Sequence, residues 1–341
     1  MSSDQDPIIP PIPSIPPSPA QEVSRGVATA SPISDLSYRS YEGPLKTRYS
    51  RWWVVAHAGL RQSFSQPLLY VLFGLPLLRF LIAGFQIYFL TNLIPNGQNI
   101  PNFPGEPEGQ KFANLFWSAM CGDFNALLMM VIAVAIGAGA IAADNRSNAL
   151  LVYLAKPIGK TDYLIGKWLN LFLTIFICEA VPIFLLYLFC AFSYRDSGFF
   201  KDEPWLGPRL LLGLFIPATI HASVLIGLSA WSKSPRIVGA VYASFYIISG
   251  IVAGVVSRIL YPDNQEMKNL FSHFCLRGVI NGLQQNNLHV TISHAAMRRG
   301  GGGDISAPPQ LAPLLIIAGV LVIGGLLAAR AKINAVEVIR G

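Results

Sequence analysis

The sequence has little charge. Only 13% of its 341 residues are Asp, Glu, Lys or Arg, whereas 52% are hydrophobic, and the mean hydropathy is +0.48. Because soluble domains carry about 25% charged residues, this deficit excludes an ordinary water-facing surface and indicates that much of the surface faces lipid. The formal net charge of +7 suits basic residues gathered at one membrane face better than it suits nucleic-acid binding.

Cysteine is also scarce, and no secretory signal peptide is expected. The cysteines show neither zinc spacing nor a disulfide framework, so no metal site is predicted; they are Cys121, Cys178, Cys190 and Cys275. The first residues, "MSSDQDPIIPPIPSIPPSPAQEVS", lack the basic start and apolar core of a secretory signal. Their proline-rich composition predicts that residues 1–49 form a disordered cytoplasmic tail.

Six apolar runs are long enough to cross a membrane, since one span takes about 20 mostly apolar residues. They cover residues 67–91, 121–143, 163–192, 206–231, 237–259 and 311–329. We therefore predict an all-α, polytopic membrane protein with six transmembrane helices in a domain of residues 50–341. Pro76, Pro182 and Pro217 interrupt the runs, which is tolerable where neighbouring helices satisfy the freed carbonyls.

The basic residues predict an orientation. If the N-terminus is inside, most loop lysines and arginines face the cytoplasm, so the positive-inside rule favours both chain ends inside. The outer loop 260–310 carries four basic residues, which opposes this orientation. The loop is, however, close to the length beyond which its charge no longer influences orientation. Its apolar spacing predicts one or two short helices on the outer surface, followed by the flexible linker "RRGGGGDISAPP".

An amphipathic segment, "SRWWVVAHAGLRQSFSQP", precedes the first span at residues 50–67. Its apolar stripe holds the two tryptophans together with Val55, Ala56, Leu60 and Phe64. Such a stripe predicts an interfacial helix on the inner membrane face, with the tryptophans at headgroup depth.

A polar stretch, "AADNRSNALLVYLAKPIGKTDYLIGKWL", separates the second and third spans. With Asp144 as N-cap and Pro157 as stop, it predicts a cytoplasmic helix over residues 145–155. The apolar face of this helix consists of Leu150, Leu151, Tyr153 and Leu154. That face either enters the groove of a partner or packs on neighbouring spans.

The letters "GKT" at residues 159–161 do not form a nucleotide-binding loop. A Walker loop needs another glycine five positions before Gly159, where the sequence has Leu154. The segment also follows a helix rather than a strand. We therefore expect no catalytic site and no cofactor in this chain, and any ATPase would be a separate polypeptide.

The same stretch resembles the membrane subunits of ABC-2 exporters. The matching features are Asp144 with Arg146, the leucine-rich "NALLVYLA", the following "KPIGKTDY", and "LIGKW" at the start of the third span. The resemblance extends over nearly the whole chain from about residue 50. It includes the interfacial helix, the six spans and a helical loop before the last span.

The resemblance implies how such a chain works. Residues 145–155 would be the coupling helix that contacts an ABC ATPase subunit, through Asp144, Arg146, Leu150, Leu151, Tyr153 and Leu154. An inner-face loop would follow, with Lys156, Pro157, Lys160, Gly166 and Lys167. The ATPase would hold ATP and Mg. A second permease subunit, identical or different, would complete an exporter of unidentified substrate in the lipids of a plasma or bacterial inner membrane.

Two charges lie near the middle of predicted spans, Arg79 in the first and Glu179 in the third. Because isolated charges there cost at least ~2.5–3.5 kcal/mol each, we predict a pair inside the bundle, acting as a packing lock or as a gate. His221 is expected to form a hydrogen bond with a neighbouring helix rather than to coordinate a metal.

Two alternative functions remain open: an ATP-independent transporter or channel, and a non-transporting membrane scaffold.

Overall fold

The computed structural model describes part of the chain. The described residues are 51–92, 112–113, 116, 120, 123–149, 158–195, 199–260, 270, 274–288, 292–293, 305–306 and 309–335. All of them belong to the compact unit Thr47–Gly341. The predicted tail, residues 1–49, lies outside the described residues.

The described residues are almost entirely helical, which confirms the predicted all-α class. The helices are α1 (Arg51–Phe64), α2 (Pro67–Asn92), α3 (Asp123–Gly137), α4 (Ala142–Arg146), α5 (Lys160–Ser193), α6 (Phe199–Asp202), α7 (Leu206–Ala230), α8 (Pro235–Leu260), α9 (Leu276–Leu288) and α10 (Leu311–Asn334). Two short strands, β1 (Ile292–Ser293) and β2 (Ile305–Ser306), pair antiparallel, with Ile292 opposite Ser306.

Six helical segments of the described residues are long and apolar enough to span a membrane, as predicted. They are Pro67–Phe89, Phe124–Arg146, Lys160–Ser193, Leu206–Ala230, Pro235–Val256 and Leu311–Asn334. The second segment is not one regular helix, because the chain turns through residues 138–141 between α3 and α4. Gly137 ends α3 and Gly139 lies within this turn, and glycine weakens helix formation.

Helices α5 and α7 form the centre of the bundle. Helix α7 packs most extensively on α10, and their backbones come into contact at a pair of glycines. A Cβ added to Gly227 would lie 2.8 Å from the carbonyl oxygen of Gly325, so only glycine fits there. In lipid, where the hydrophobic effect does not drive helices together, such small residues allow close backbone packing.

The bundle has two distinct ends. At one end, which we name the α4 end, α4 meets the last turn of α7 through a hydrogen bond from Asn145 to Ala230. At the other end, which we name the α9 end, α9 meets the first turn of α7 through a hydrogen bond from the Asn287 side-chain amide to the backbone carbonyl of Arg209. The 25 residues of α7 separate these ends by about 37 Å.

The predicted interfacial helix is present as α1, and small residues form its contact with α5. Ala56 is fully buried, and a Cβ on Gly166 of α5 would lie 2.6 Å from Cβ of Val55. Trp53, from the predicted apolar stripe, is 45% exposed. The helix therefore uses one narrow face for the bundle and leaves large side chains for the surrounding medium.

Helix α9 corrects the prediction of helices lying on the outer surface. It packs on α7, α8 and α10, and its buried residues include Val279, Ile280, Leu283 and Gln284. In the sequence, only the apolar residues of this segment carried a prediction, and its glutamine and asparagine residues were given no role. They instead donate hydrogen bonds to backbone carbonyls of the neighbouring elements, namely those of Gly213, Arg209 and Pro309.

Candidate functional site

The turn between α3 and α4 is held by one side chain of α7. The Ser229 hydroxyl accepts hydrogen bonds from the amides of Ile141 (3.0 Å) and Ala142 (2.9 Å), and it donates to the carbonyl of Ala138 (3.1 Å). The turn leaves these backbone groups without regular helical partners, and an unpaired buried backbone group is costly. Ser229 thus stabilises the break and fastens it to α7.

Asn145 makes a second connection between α4 and α7. Its side-chain amide donates to the carbonyl of Ala230 at 2.9 Å and to that of Ser232 at 3.2 Å. Both acceptors lie where α7 ends, and the last carbonyls of a helix lack partners within it. Because α4 has only five residues, these bonds fix its position against α7.

Asp144 connects α4 to α5. Its Oδ2 accepts a hydrogen bond from the Tyr163 hydroxyl at 2.6 Å and forms an ion pair with Nζ of Lys167 at 2.7 Å. Lys167 also lies over the Tyr163 ring, 5.6 Å from its centroid. We call Asp144, Asn145, Tyr163, Lys167 and Ser229 the α4 junction, since together they join α4 to both central helices.

The predicted cap and helix around Asp144 are wrong in part. Helix α4 already begins at Ala142, with Ile141 in the N-cap position, so Asp144 lies inside the helix. The helix then ends at Arg146, an exposed residue, and Asn148 has a φ of 54°. Asparagine tolerates this left-handed conformation better than most residues. The left-handed backbone at Asn148 nevertheless interrupts a helix that was predicted to run unbroken from residue 145.

The other predicted coupling and loop residues divide into two groups. Leu150, Leu151, Tyr153, Leu154, Lys156 and Pro157 lie outside the described residues. Lys160 was predicted in a loop, and the structure places it in helix α5 instead. Gly166 and Lys167, which the resemblance grouped with that loop, lie in the same helix, within the predicted third span. The prediction for Lys160 was wrong because apolar periodicity begins only at Tyr163, whereas the helix starts one turn earlier.

The "GKT" sequence forms the start of α5. The Gly159 amide donates to the Asp162 carboxylate at 3.3 Å, which caps the helix, and Nζ of Lys160 donates to the carbonyl of Asn334 at 2.9 Å. The lysine of the apparent nucleotide loop therefore joins α5 to the end of α10.

The predicted pair between Arg79 and Glu179 is wrong. Glu179 is 1% exposed, and its Oε2 accepts a hydrogen bond from Nδ2 of Asn125 at 3.3 Å. Within the described part of the chain, no ion pair joins it to the half-buried Arg79. The sequence placed the two charges at a similar depth in their spans, but it did not determine which helix faces meet.

The prediction for His221 is confirmed, because its Nδ1 hydrogen-bonds the Tyr242 hydroxyl of α8.

Glu179 lines a polar cavity inside the bundle, which the sequence analysis missed. Its polar wall is formed by Asn125, Glu179, His221, Tyr246, Asn281 and Gln284. These residues come from α3, α5, α7, α8 and α9. The available signal was the presence of single polar residues within apolar runs, the same signal that marks Ser229 of the α4 junction.

Comparison with known proteins defines the family. Residues 11–329 match the family described as ABC-2 family transporter protein, which is most of the chain. The chain belongs to this family. The resemblance found in the sequence is thus confirmed, and the six apolar helices make this ABC-2 chain a multi-pass membrane permease of the ABC transporter class.

One curated relative is a transmembrane protein of Bacillus subtilis (strain 168), named "Uncharacterized transmembrane protein YxlG". It is 25% identical over 183 residues, which cover 52% of this chain and 64% of the relative. The match therefore spans just under two thirds of the relative's length. Its name agrees with a membrane location for this ABC-2 permease and adds no substrate.

Proposed function

We propose that the chain is the membrane-spanning subunit of an ABC exporter. It would move an unidentified substrate across a plasma or bacterial inner membrane, driven by ATP hydrolysis in a separate ATPase subunit. The observation that supports this function best is the α4 junction. The segment that joins the second and third spans, which the family resemblance implicates in ATPase contact, is attached through α4 to both central helices.

The attachments suggest a path for mechanical coupling. A displacement of α4 acts on α5 through Asp144 and on α7 through Asn145 and Ser229. Lys160 then joins α5 to the end of α10. An ATPase that binds residues 145–155 differently in its ATP-bound and ATP-free states would bias two arrangements of the spans, since only differential binding shifts such an equilibrium.

The proposal places the α4 end in the cytoplasm and leaves nucleotide binding to the partner. ATP and Mg would be held by the ATPase subunit, because the lysine of "GKT" here donates to Asn334 and the Walker spacing is lacking. Two permease subunits, identical or different, would face two ATPase subunits. Loss of this chain's α4 contacts would then uncouple hydrolysis from transport.

The test is co-purification of the tagged chain with a co-expressed ABC ATPase, followed by substrate-independent ATPase assays in nanodiscs. We expect the double variant Leu150→Asp and Leu151→Asp to lose ATPase binding by about 30-fold or more, the effect of losing roughly 2 kcal/mol at an interface centre. The reason is that buried, unpaired carboxylates oppose docking in an apolar groove.

The matched control is Lys233→Asp. It adds an acidic side chain at the same end of the bundle, in the exposed connection between α7 and α8, and it should keep the ATPase. Equal loss in both variants would point to a general charge effect and contradict a docking helix. If no ATPase binds the wild-type chain and transport proceeds without one, the ABC exporter proposal fails in favour of an ATP-independent transporter.

A further inference from the structure

The polar cavity around Glu179 lies apart from the α4 junction. Helices α3, α5, α7, α8 and α9 all contribute side chains to its wall. Glu179 belongs to α5 but lies sixteen residues after Tyr163 in the sequence, about 24 Å along a helix. ATPase coupling as proposed above makes no use of the cavity, so its chemistry needs a separate explanation.

Two acceptor oxygens in this cavity have no donor among the residues that the structure describes. They are Oδ1 of Asn125 and Oε1 of Glu179, and both are buried. The orientation of the Asn125 amide follows from its nitrogen, which donates to the carbonyl of Met120 at 2.9 Å and to Oε2 of Glu179 at 3.3 Å. Its oxygen is therefore an acceptor that remains available. A buried acceptor without a partner is energetically costly.

Within the described part of the chain, the carboxylate also lacks a compensating charge. Helices α3 and α9 face the cavity with neutral amides, and α2, which also packs on α5, carries Arg79 without an ion pair to Glu179. The titratable groups near Glu179 are Cys178 beside it, His221 from α7, and Tyr242 and Tyr246 from α8. None of these is a permanent cation, and a buried ion without a counter-charge is strongly unfavourable.

The size of the cavity limits what it can hold. The space open to the centre of a water molecule is about 10 Å³, which is roughly that of one water. An organic substrate does not fit. A single water or a small ion does, and it would lie against both unpartnered oxygens.

Helix α9 closes the cavity by means of a proline in α7. Pro217 has no amide hydrogen, so the carbonyl of Gly213, four residues earlier, loses its helical donor. Nε2 of Gln284 supplies a replacement bond at 2.8 Å. Gln284 and its neighbours Ile280 and Asn281 also line the cavity. An occupant would therefore contact the bundle and α9 together.

We propose that this cavity binds one small positive charge at Oε1 of Glu179 and Oδ1 of Asn125. Two sources share this chemistry. In one, a solvent proton adds to Oε1 of Glu179, and a single water bridges the resulting carboxylic acid to Asn125. In the other, a monovalent ion such as Na⁺ takes the place of that water. Either occupant satisfies both oxygens and neutralises the carboxylate.

The experiment uses the full chain, purified in nanodiscs without an ATPase. Thermal melting is followed in NaCl and in choline chloride of equal ionic strength at several pH values. Infrared difference spectra report the C=O band of a protonated carboxyl group. Glu179→Gln keeps the shape of the side chain and removes its charge. Asp162→Asn, which changes a carboxylate at the start of α5, is the matched control.

The two sources give different results. For Na⁺, the melting temperature of the wild type rises with sodium along a one-site saturation curve, and Glu179→Gln abolishes the rise. For a proton, sodium has no effect, the melting temperature falls as pH rises, and a carboxylic-acid band is present that Glu179→Gln removes. Asp162→Asn should behave as the wild type in both cases.

A wild-type chain with neither a sodium response nor a carboxylic-acid band would overturn the proposal, because the cavity would then hold only neutral water beside an ionised carboxylate. Responses that persist in Glu179→Gln would overturn it as well. If that variant does not fold, Asn125→Ala replaces it and should weaken the sodium response by about tenfold or more, the effect of losing one charge-assisted contact. None of these results depends on ATPase coupling.

Discussion

Tyr163 shows how a single residue connects two parts of this permease. Its ring is fully buried, and its hydroxyl donates to the carboxylate of Asp144 while Lys167 pairs with the same oxygen. The carboxylate is mostly shielded from water, so bonds to it are stronger than those on an open surface. The role of Tyr163 depends on its contact with Asp144, a residue of another helix. Tyr163 was therefore not identified from the sequence.

We expect Tyr163→Phe to lower the free energy of unfolding by about 1.5–3 kcal/mol, the usual contribution of a hydrogen bond to a charged group. The ring and its packing stay, so the loss reports the hydroxyl. Reversible unfolding in mixed micelles measures it. Tyr70→Phe removes the same atom from an exposed tyrosine of α2 and should change little. A similar loss in both variants would mean that the bond to Asp144 contributes nothing specific.

Helix α9 illustrates the scale of whole elements. It sits against a carbonyl of α7 that Pro217 has freed, and Gln284 satisfies that carbonyl. The proline therefore does more than weaken α7, since it creates an acceptor to which another helix binds. The polar residues of α9 are compatible with burial for this reason.

A double-mutant cycle tests the link between Pro217 and Gln284. In the wild type, Gln284→Leu should cost about 1–3 kcal/mol, because the Gly213 carbonyl is left unsatisfied. In a Pro217→Ala background, the restored amide supplies the helical bond, and the cost of Gln284→Leu should fall below about 1 kcal/mol. Unfolding in mixed micelles gives all four stabilities.

Pro76→Ala is the control for this cycle, because Pro76 lies inside α2, whereas the carbonyl that Gln284 satisfies belongs to α7. In that background the cost of Gln284→Leu should equal its wild-type value. Additive costs for Pro217→Ala and Gln284→Leu would contradict the assignment of the glutamine to the freed carbonyl.

The molecule as a whole has an excess of basic residues at its predicted cytoplasmic face. Among the described residues, the α4 end carries Arg146, Lys160, Lys167, Lys233, Arg236 and Lys332, whereas the α9 end carries Arg195, Lys201, Arg209 and Arg277. The positive-inside rule therefore predicts that the α4 end and both termini lie in the cytoplasm. The same orientation is needed for an ATPase to reach α4.

Cysteine labelling tests this orientation. With Cys121 replaced by serine, a membrane-impermeant maleimide should label Lys201→Cys in intact cells and Lys233→Cys only after permeabilisation. Cys178 and Cys190 are buried, and burial raises the pKa of the Cys275 thiol, so these thiols react slowly because the thiolate is the reactive form. The reverse labelling pattern would contradict the predicted orientation and the coupling role of α4.

Local patterns predicted part of this molecule well. The six spans follow from apolar runs of sufficient length, which depend only on neighbouring residues in the chain. The α1 helix was predicted from its amphipathic spacing. The turn at residues 138–141 was missed, because a run of glycine and alanine has the same hydropathy whether it is helical or turned.

The sequence by itself determined that this is a six-span membrane protein of the ABC-2 type without Walker spacing at "GKT", since span length, charge bias and motif spacing are properties of short segments. Only the tertiary structure decided that Glu179 meets Asn125 rather than Arg79, that Gln284 meets the carbonyl freed by Pro217, and that Ser229 holds the turn before α4. These contacts join residues more than 50 positions apart. They depend on which helix faces pack together, and in lipid that choice follows from close packing and polar partners rather than from hydropathy.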